Sequence, residues 1–257
     1  VADTVALLDV LAGYEPGDAN WAPPPPAPFA ELVAQPPQRM RIGLALNPPL
    51  EGATLDPVHE AAARDAAALL ESLGHDVEEI VAPWSGLDLL GDFTRAFGPS
   101  VSMSTLVGGR LAGREPTEDD VEPLTWALWE RARSQDTLSL LMAQTRLESV
   151  ARSLIVFFAP YHAVLTPALA QRPLPIGELH GLGPDPWGHY QRSGLFTPYT
   201  AIVNVTGQPA ISLPLYHGED GLPTAVQLIG PPGREDVILR LAAELEQALP
   251  WAARRPS

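Results

Sequence analysis

The chain has 257 residues, with no cysteine and no lysine; its 16 basic residues are all arginine, set against 31 Asp plus Glu, for a formal net charge of −15. With 46% hydrophobic and 18% charged residues it is globular, and long enough for one large domain or two modest ones. Disulfides, thiolate catalysis and Cys-rich zinc sites are excluded, and the lack of clustered bases excludes the phosphate-binding surface that a nucleic-acid partner needs.

In chain order, Val1 to Gly13 predicts an amphipathic helix stopped by Gly13. A chain that opens partway into a helix, without an initiator Met, carries the expectation that something preceding it is missing. Residues 14–40 read as a Pro-rich connector, with Trp21-Ala-Pro-Pro-Pro-Pro-Ala-Pro28 as a stiff polyproline spacer. Arg41 to Leu46 predicts a buried strand. Asp56 and Pro57 predict a helix start, as N-cap and first-turn proline, for a helix running to Leu73 and ended by Gly74. Val77 to Val81 supplies the next strand, making a parallel β–α–β unit.

Leu87 to Phe158 reads as mostly helical. Thr117-Glu-Asp-Asp120 resembles a capping box and predicts one helix start; Leu138, Leu141, Met142, Thr145, Val150, Leu154 and Phe157 keep a helical period in another. Ala163 to Thr166 reads as a short strand ending at Pro167, followed by loops to about His189. Ala210 to Leu213 and Thr224 to Ile229 are strand-like, and Arg234 to Leu249 predicts a closing helix. This alternation indicates an α/β fold with a mixed sheet flanked by helices. The longest apolar stretch, Leu154 to Ala159, is far short of the ~20 residues of a membrane helix. No basic region precedes an apolar one at the N-terminus. The expectation is a cytoplasmic protein with no membrane partner.

Residue chemistry alone marks no convincing active site. Ser100, Ser102 and Ser104 are tempting nucleophiles, but no Gly-x-Ser-x-Gly elbow is present, and Ser100 after Pro99 reads as a loop entering a helix. Of the histidines His59, His75, His162, His180, His189 and His217, His59-Glu60 begins like a zincin helix, yet position 63 is Ala. His180, His189 and Asp185 have the chemistry to clasp a metal, but spacing in a loop is weakly diagnostic and no metal or other cofactor is expected. Gly108-Gly109-Arg-Leu-Ala-Gly113 lacks the ending of a phosphate loop, and Asn204-Val-Thr206 is an accidental glycosylation match.

The segment Thr197-Pro-Tyr-Thr-Ala-Ile-Val-Asn-Val-Thr-Gly-Gln-Pro-Ala-Ile-Ser-Leu-Pro214, with Asp220-Gly-Leu-Pro-Thr-Ala-Val-Gln-Leu-Ile-Gly230, resembles the C-terminal part of amidase signature hydrolases. Val1 to Gly13, Tyr161-His-Ala-Val-Leu-Thr-Pro167 and Leu174-Pro-Ile-Gly-Glu178 extend the match, whereas residues 14–40 and 84–116 carry little of it. Glu122-Pro-Leu-Thr-Trp-Ala-Leu-Trp-Glu130 looks like members acting on cyclic or linear oligoamides and aryl amides.

The resemblance implies that residues 1–257 are the C-terminal portion of a single amidase domain. That portion completes a large mixed sheet and walls one side of the substrate funnel. It implies amide hydrolysis by a Ser–cisSer–Lys triad lying upstream, so no catalytic residue transfers to this chain. Phe196, Thr197, Tyr199 and Asn204 are the implied pocket residues, with Phe196 and Tyr199 as helix core the competing reading. Members that bind amino-acid-like substrates place an acidic side chain near Thr197, and its absence argues against that class. The expected partners are a small-molecule amide and the missing N-terminal portion, and a homodimer through an exposed face is one expected form. The alternative is a non-catalytic binding or structural module derived from the same fold.

Overall fold

Helix α1 (Ala2–Leu11) and a short helix α2 (Phe29–Val33) precede strand β1 (Arg41–Ala45), whose Ile42 and Ala45 are fully buried. The computed structural model describes residues 1–85 and 87–254. Asp56 caps helix α3 (Pro57–Ser72) by accepting from the Val58 N–H at 2.9 Å, with Pro57 in the first turn where no donor is needed. Gly74, at φ 99°, takes the left-handed turn that sends the chain into β2 (Asp76–Ile80).

Three helices follow: α4 (Leu89–Ala112), α5 (Pro123–Ser134) and α6 (Thr137–Phe158). Strand β3 (Ala163–Pro167), helices α7 (Pro186–Phe196) and α8 (Pro198–Thr206), strands β4 (Ala210–His217) and β5 (Pro223–Ile229) and helix α9 (Glu235–Ala248) complete the described chain. The strands form a five-stranded sheet in the order β2-β1-β3-β5-β4. β1 pairs parallel with β2 and β3, while β5 runs antiparallel to both β3 and β4, so the sheet is mixed.

Side chains alternate across a strand, and β3 shows what this does to the core. Ala163 and Leu165 pack with α3 and α9, whereas Val164 packs with Leu154, Phe158, Tyr199 and Ile202 from α6 and α8. Helices therefore cover both faces. α1 and α2 form a satellite in which Val5 and Phe29 meet Leu239 of α9, leaving Leu7, Val10 and Leu11 exposed. No helix among the described residues is long and apolar enough to cross a membrane.

The sequence reading needs correcting at four places. Pro99 and Ser100 lie inside α4, where a loop is expected. A proline in a helix lacks the N–H that would bond the carbonyl four residues back. Here that carbonyl, Arg95 O, accepts from Gln135 Nε2 at 3.0 Å, so the residue that caps the C-terminus of α5 supplies the missing donor. The Thr117–Asp120 box closes only a 3-10 turn (Glu118–Asp120); α5 itself starts behind Pro123. β4 runs on past Leu213 to His217, with a register shift between Leu213 and Tyr216 where Pro214 cannot donate to the ladder. The connector of residues 14–40 contains α2, whose Phe29 and Ala30 N–H groups donate to the Asp9 carboxylate at 2.6 and 3.0 Å.

Candidate functional site

The N-terminal turns of α4, the inner face of α7 and the length of α8 enclose a cleft of about 210 Å³ over Leu50. Local sequence builds each wall. Asp88 caps α4 by accepting from the Gly91 N–H at 3.1 Å. Asp92, one turn on and buried, accepts from Arg146 of α6 at 2.7 and 2.5 Å and from Arg95 at 3.1 Å. The Arg146 hydrogen bonds, reinforced by Arg95, hold the Asp92 carboxyl below its ordinary range. This clamp fixes the turn that carries Leu89, Leu90 and Phe93 into the cleft.

Asp185 caps α7 through the Gly188 N–H at 2.9 Å. α7 and α8 then meet at a single residue. Thr197 is the C-cap of one and the N-cap of the other, and Pro198 forbids continuation of the first helix. Gly194 allows α7 to lie against α4: a Cβ there would stand 3.3 Å from the Leu90 methyls, tighter than ordinary packing.

The cleft wall is apolar at Leu50, Leu89, Leu90, Phe93, Ile202 and Val205 and carries five hydroxyl or amide side chains, Tyr190, Ser193, Thr197, Thr200 and Asn204. No charged side chain lines it among the described residues. Thr94 braces it from behind, donating to Leu90 O at 2.6 Å and meeting the Tyr190 hydroxyl at 3.3 Å.

Of the four residues implied by the resemblance, Thr197 and Asn204 line this cleft and Phe196 and Tyr199 do not. Phe196 offers its carbonyl to the Ala170 N–H at 3.1 Å. Tyr199 is wholly buried: its hydroxyl donates to Leu46 O, its carbonyl accepts from Gln227 Nε2 at 3.3 Å, and its ring meets Trp84 edge-on at 6.5 Å. Burial pushes its phenol well above the ordinary range. It anchors α8 to the sheet. The cleft's α4 wall came from a stretch in which no sequence signal marked a site.

The other sequence candidates serve the scaffold. Ser102 is buried and donates to Gly98 O at 3.0 Å and Leu128 O at 3.3 Å, while Ser100 and Ser104 lie exposed on the same helix. His75 accepts from the Met40 N–H at 3.1 Å through Nδ1, leaving Nε2 to meet Glu244 at 2.8 Å. His162 accepts from the Arg41 N–H at 2.9 Å. The His180 and His189 rings pack 4.8 Å apart, and Asp185 is engaged as the α7 cap. His59 is buried with neither ring nitrogen meeting a hydrogen-bond partner among the described residues, and that burial lowers its pKa.

The chain is similar to known proteins along nearly its whole length. The amidase family model matches residues 1–239. The chain is 36% identical over 263 residues to the 6-aminohexanoate-cyclic-dimer hydrolase of Paenarthrobacter ureafaciens, covering 100% of this chain and 53% of that protein. It is 32% identical over 249 residues to the putative amidase AmiC of Mycobacterium tuberculosis, covering 97% and 52%. A solved structure of 6-aminohexanoate cyclic dimer hydrolase superposes with a TM-score of 0.92 at 35% identity, over 99% of this chain and 54% of that one. A bacterial aryl acylamidase shares the fold at a TM-score of 0.80 and 20% identity, over the same shares of the two chains. The chain thus spans about half the length of the curated relatives it matches.

Proposed function

The chain belongs to the amidase family, and from that premise we propose that it forms the C-terminal portion of an amidase domain and walls the binding cleft for a neutral, largely aliphatic amide. The observation that carries this reading is the uncharged cleft: apolar side chains for methylene groups, the Asn204 amide to donate to an amide's carbonyl, and the Thr197 and Thr200 oxygens, whose own protons go to Ser193 O and Thr197 O, to accept from its N–H. A substrate with a free ammonium or carboxylate would leave that charge desolvated and unpaired there. A relative whose name includes a cyclic aminohexanoate dimer, a neutral amide, supports the same class.

The reaction is proposed to run through a Ser–cisSer–Lys triad supplied from outside these residues. A serine oxygen attacks the amide carbon, the C–N bond breaks as the amine leaves with a proton, and water cleaves the acyl ester. The chain has no lysine to act as that base, and Ser102 is locked between two carbonyls.

The test is turnover by the full-length protein on neutral oligoamides against amino-acid amides of similar size. Neutral oligoamides should be preferred, Phe93→Ala should raise KM, and Asn204→Asp should raise it further for neutral substrates. Preference for charged amino-acid amides, or KM values indifferent to both substitutions, would sink the cleft assignment. Failure to hydrolyse any amide would instead support the non-catalytic module.

A further inference from the structure

The hydroxyl groups that line the cleft are not equally free to give a proton. A hydroxyl has one proton and two lone pairs, so one whose proton is engaged within the protein can only accept from a ligand. Thr197 and Thr200 are in that state, with Oγ1 donating to Ser193 O at 3.2 Å and to Thr197 O at 3.1 Å.

Tyr190 is brought to the same state by a residue outside the lining. Thr94, buried on α4, holds its hydroxyl 2.6 Å from Leu90 O and 3.3 Å from the Tyr190 hydroxyl. A carbonyl cannot donate, so the shorter contact takes the Thr94 proton. The longer one then forms only with Tyr190 as donor and Thr94 Oγ1 as acceptor. The phenol proton is turned toward α4, and the phenol oxygen keeps a lone pair for a donor in the cleft. A ligand without such a donor would displace water from three acceptor oxygens and leave them unmet. The donors for a ligand carbonyl come from Ser193 and Asn204.

We propose that Thr94 is a positioning residue that fixes the Tyr190 hydroxyl as an acceptor. With Thr197 and Thr200 it completes a set of three acceptor oxygens by which the cleft selects amides bearing an N–H over carbonyl compounds that lack one, tertiary amides and esters among them. The inference rests on the reading of this cleft as the amide-binding wall.

The test titrates the full-length protein with caprolactam, N-methylcaprolactam and cycloheptanone, following the methyl NMR signals of Leu90 and Ile202 in the cleft. All three are rings of the same size with a single carbonyl, and only caprolactam has an N–H. N-methylcaprolactam keeps the amide carbonyl and cycloheptanone adds no bulk, so a preference against both reports the N–H. Caprolactam should bind about tenfold more tightly than either. Thr94→Val keeps the side chain's shape and removes the acceptor. The freed Tyr190 proton then meets a ligand carbonyl, so cycloheptanone should bind more tightly than to the unaltered protein and the preference should fall to about threefold. Thr94→Ser, which keeps the hydroxyl, should keep the tenfold preference, whereas a merely structural role would weaken all three ligands together. Should Thr94→Val fail to fold, Thr94→Ala removes the same acceptor and carries the comparison. Caprolactam bound no more tightly than the other two would overturn the N–H selection and leave the cleft in place. An unchanged preference in Thr94→Val, or a lost one in Thr94→Ser, would overturn the role of Thr94. No shift at Leu90 and Ile202 with any of the three would overturn the cleft reading, and this inference with it.

Discussion

Removing a single oxygen from Tyr199 separates two roles that the sequence left open, pocket residue and core anchor. The side chain is wholly buried, and its hydroxyl donates to Leu46 O at the end of β1. Tyr199→Phe keeps the ring against Trp84 and deletes only that bond. A hydrogen bond of this kind contributes about 1 kcal/mol net, and leaving the carbonyl buried without its donor adds to the loss, giving about 1.5 kcal/mol. For a chain of this size that lowers the melting temperature by about 3–6 °C. Tyr199→Ala removes the ring as well and leaves a cavity, for a loss of about 3–5 kcal/mol. Chemical denaturation would read both values, with substrate KM measured in parallel. If Tyr199 is an anchor, Tyr199→Phe lowers stability and leaves KM within about twofold, since the residue does not line the cleft. A tenfold rise in KM with unchanged stability would refute the assignment, and so would a Tyr199→Ala variant as stable as the parent.

Other outcomes follow from the same geometry. Gln135→Leu should cost about 1–2 kcal/mol because Arg95 O loses its donor, and Pro99→Ala in the same chain should recover most of it by restoring the helical N–H; additive losses in that double-mutant cycle would reject the pairing. His59 has its folded-state pKa held below 6.5 by burial, so the unfolded chain binds the proton first. Its contribution to stability is therefore present above pH 6.5 and lost as pH falls below it, and a denaturation midpoint measured against pH should lose that slope in His59→Leu. The Asp92 carboxyl is held below 3.8 chiefly by Arg146, so its contribution is present above pH 3.8 and lost as pH falls further. Asp92→Asn should remove that acid limb and raise KM more than it lowers kcat, by loosening the turn bearing Leu89 and Phe93; a loss confined to kcat would contradict the clamp.

The framework was legible where signals are local. Asp56-Pro57 and Gly74 bracket α3 because a cap, a first-turn proline and a left-handed turn act within a few residues. Continuity through Pro99 was not, because the donor that tolerates the proline comes from Gln135, 40 positions beyond the carbonyl it serves. The same limit governs the site. Thr197 and Asn204 fall on the cleft side of α8 and Tyr199 on the sheet side, a division fixed by how α8 packs rather than by residue type. The wall from α4 was invisible for a similar reason: Leu89, Leu90 and Phe93 look like any apolar helix face until Asp92 is seen clamped to Arg146.

The bond from Gln135 to the carbonyl before Pro99 also orders the history of this fold. A glutamine arising first at position 135, the residue just past the end of α5, would have been nearly neutral, because Arg95 O would still have had its own helical donor. A proline arising first at position 99 would have passed through a less stable ancestor. Mutational paths toward this sequence are therefore biased: glutamine precedes proline, and once proline is fixed, position 135 is no longer free to drift. Related sequences that carry the proline should be constrained at that distant position, whereas those without it should vary there.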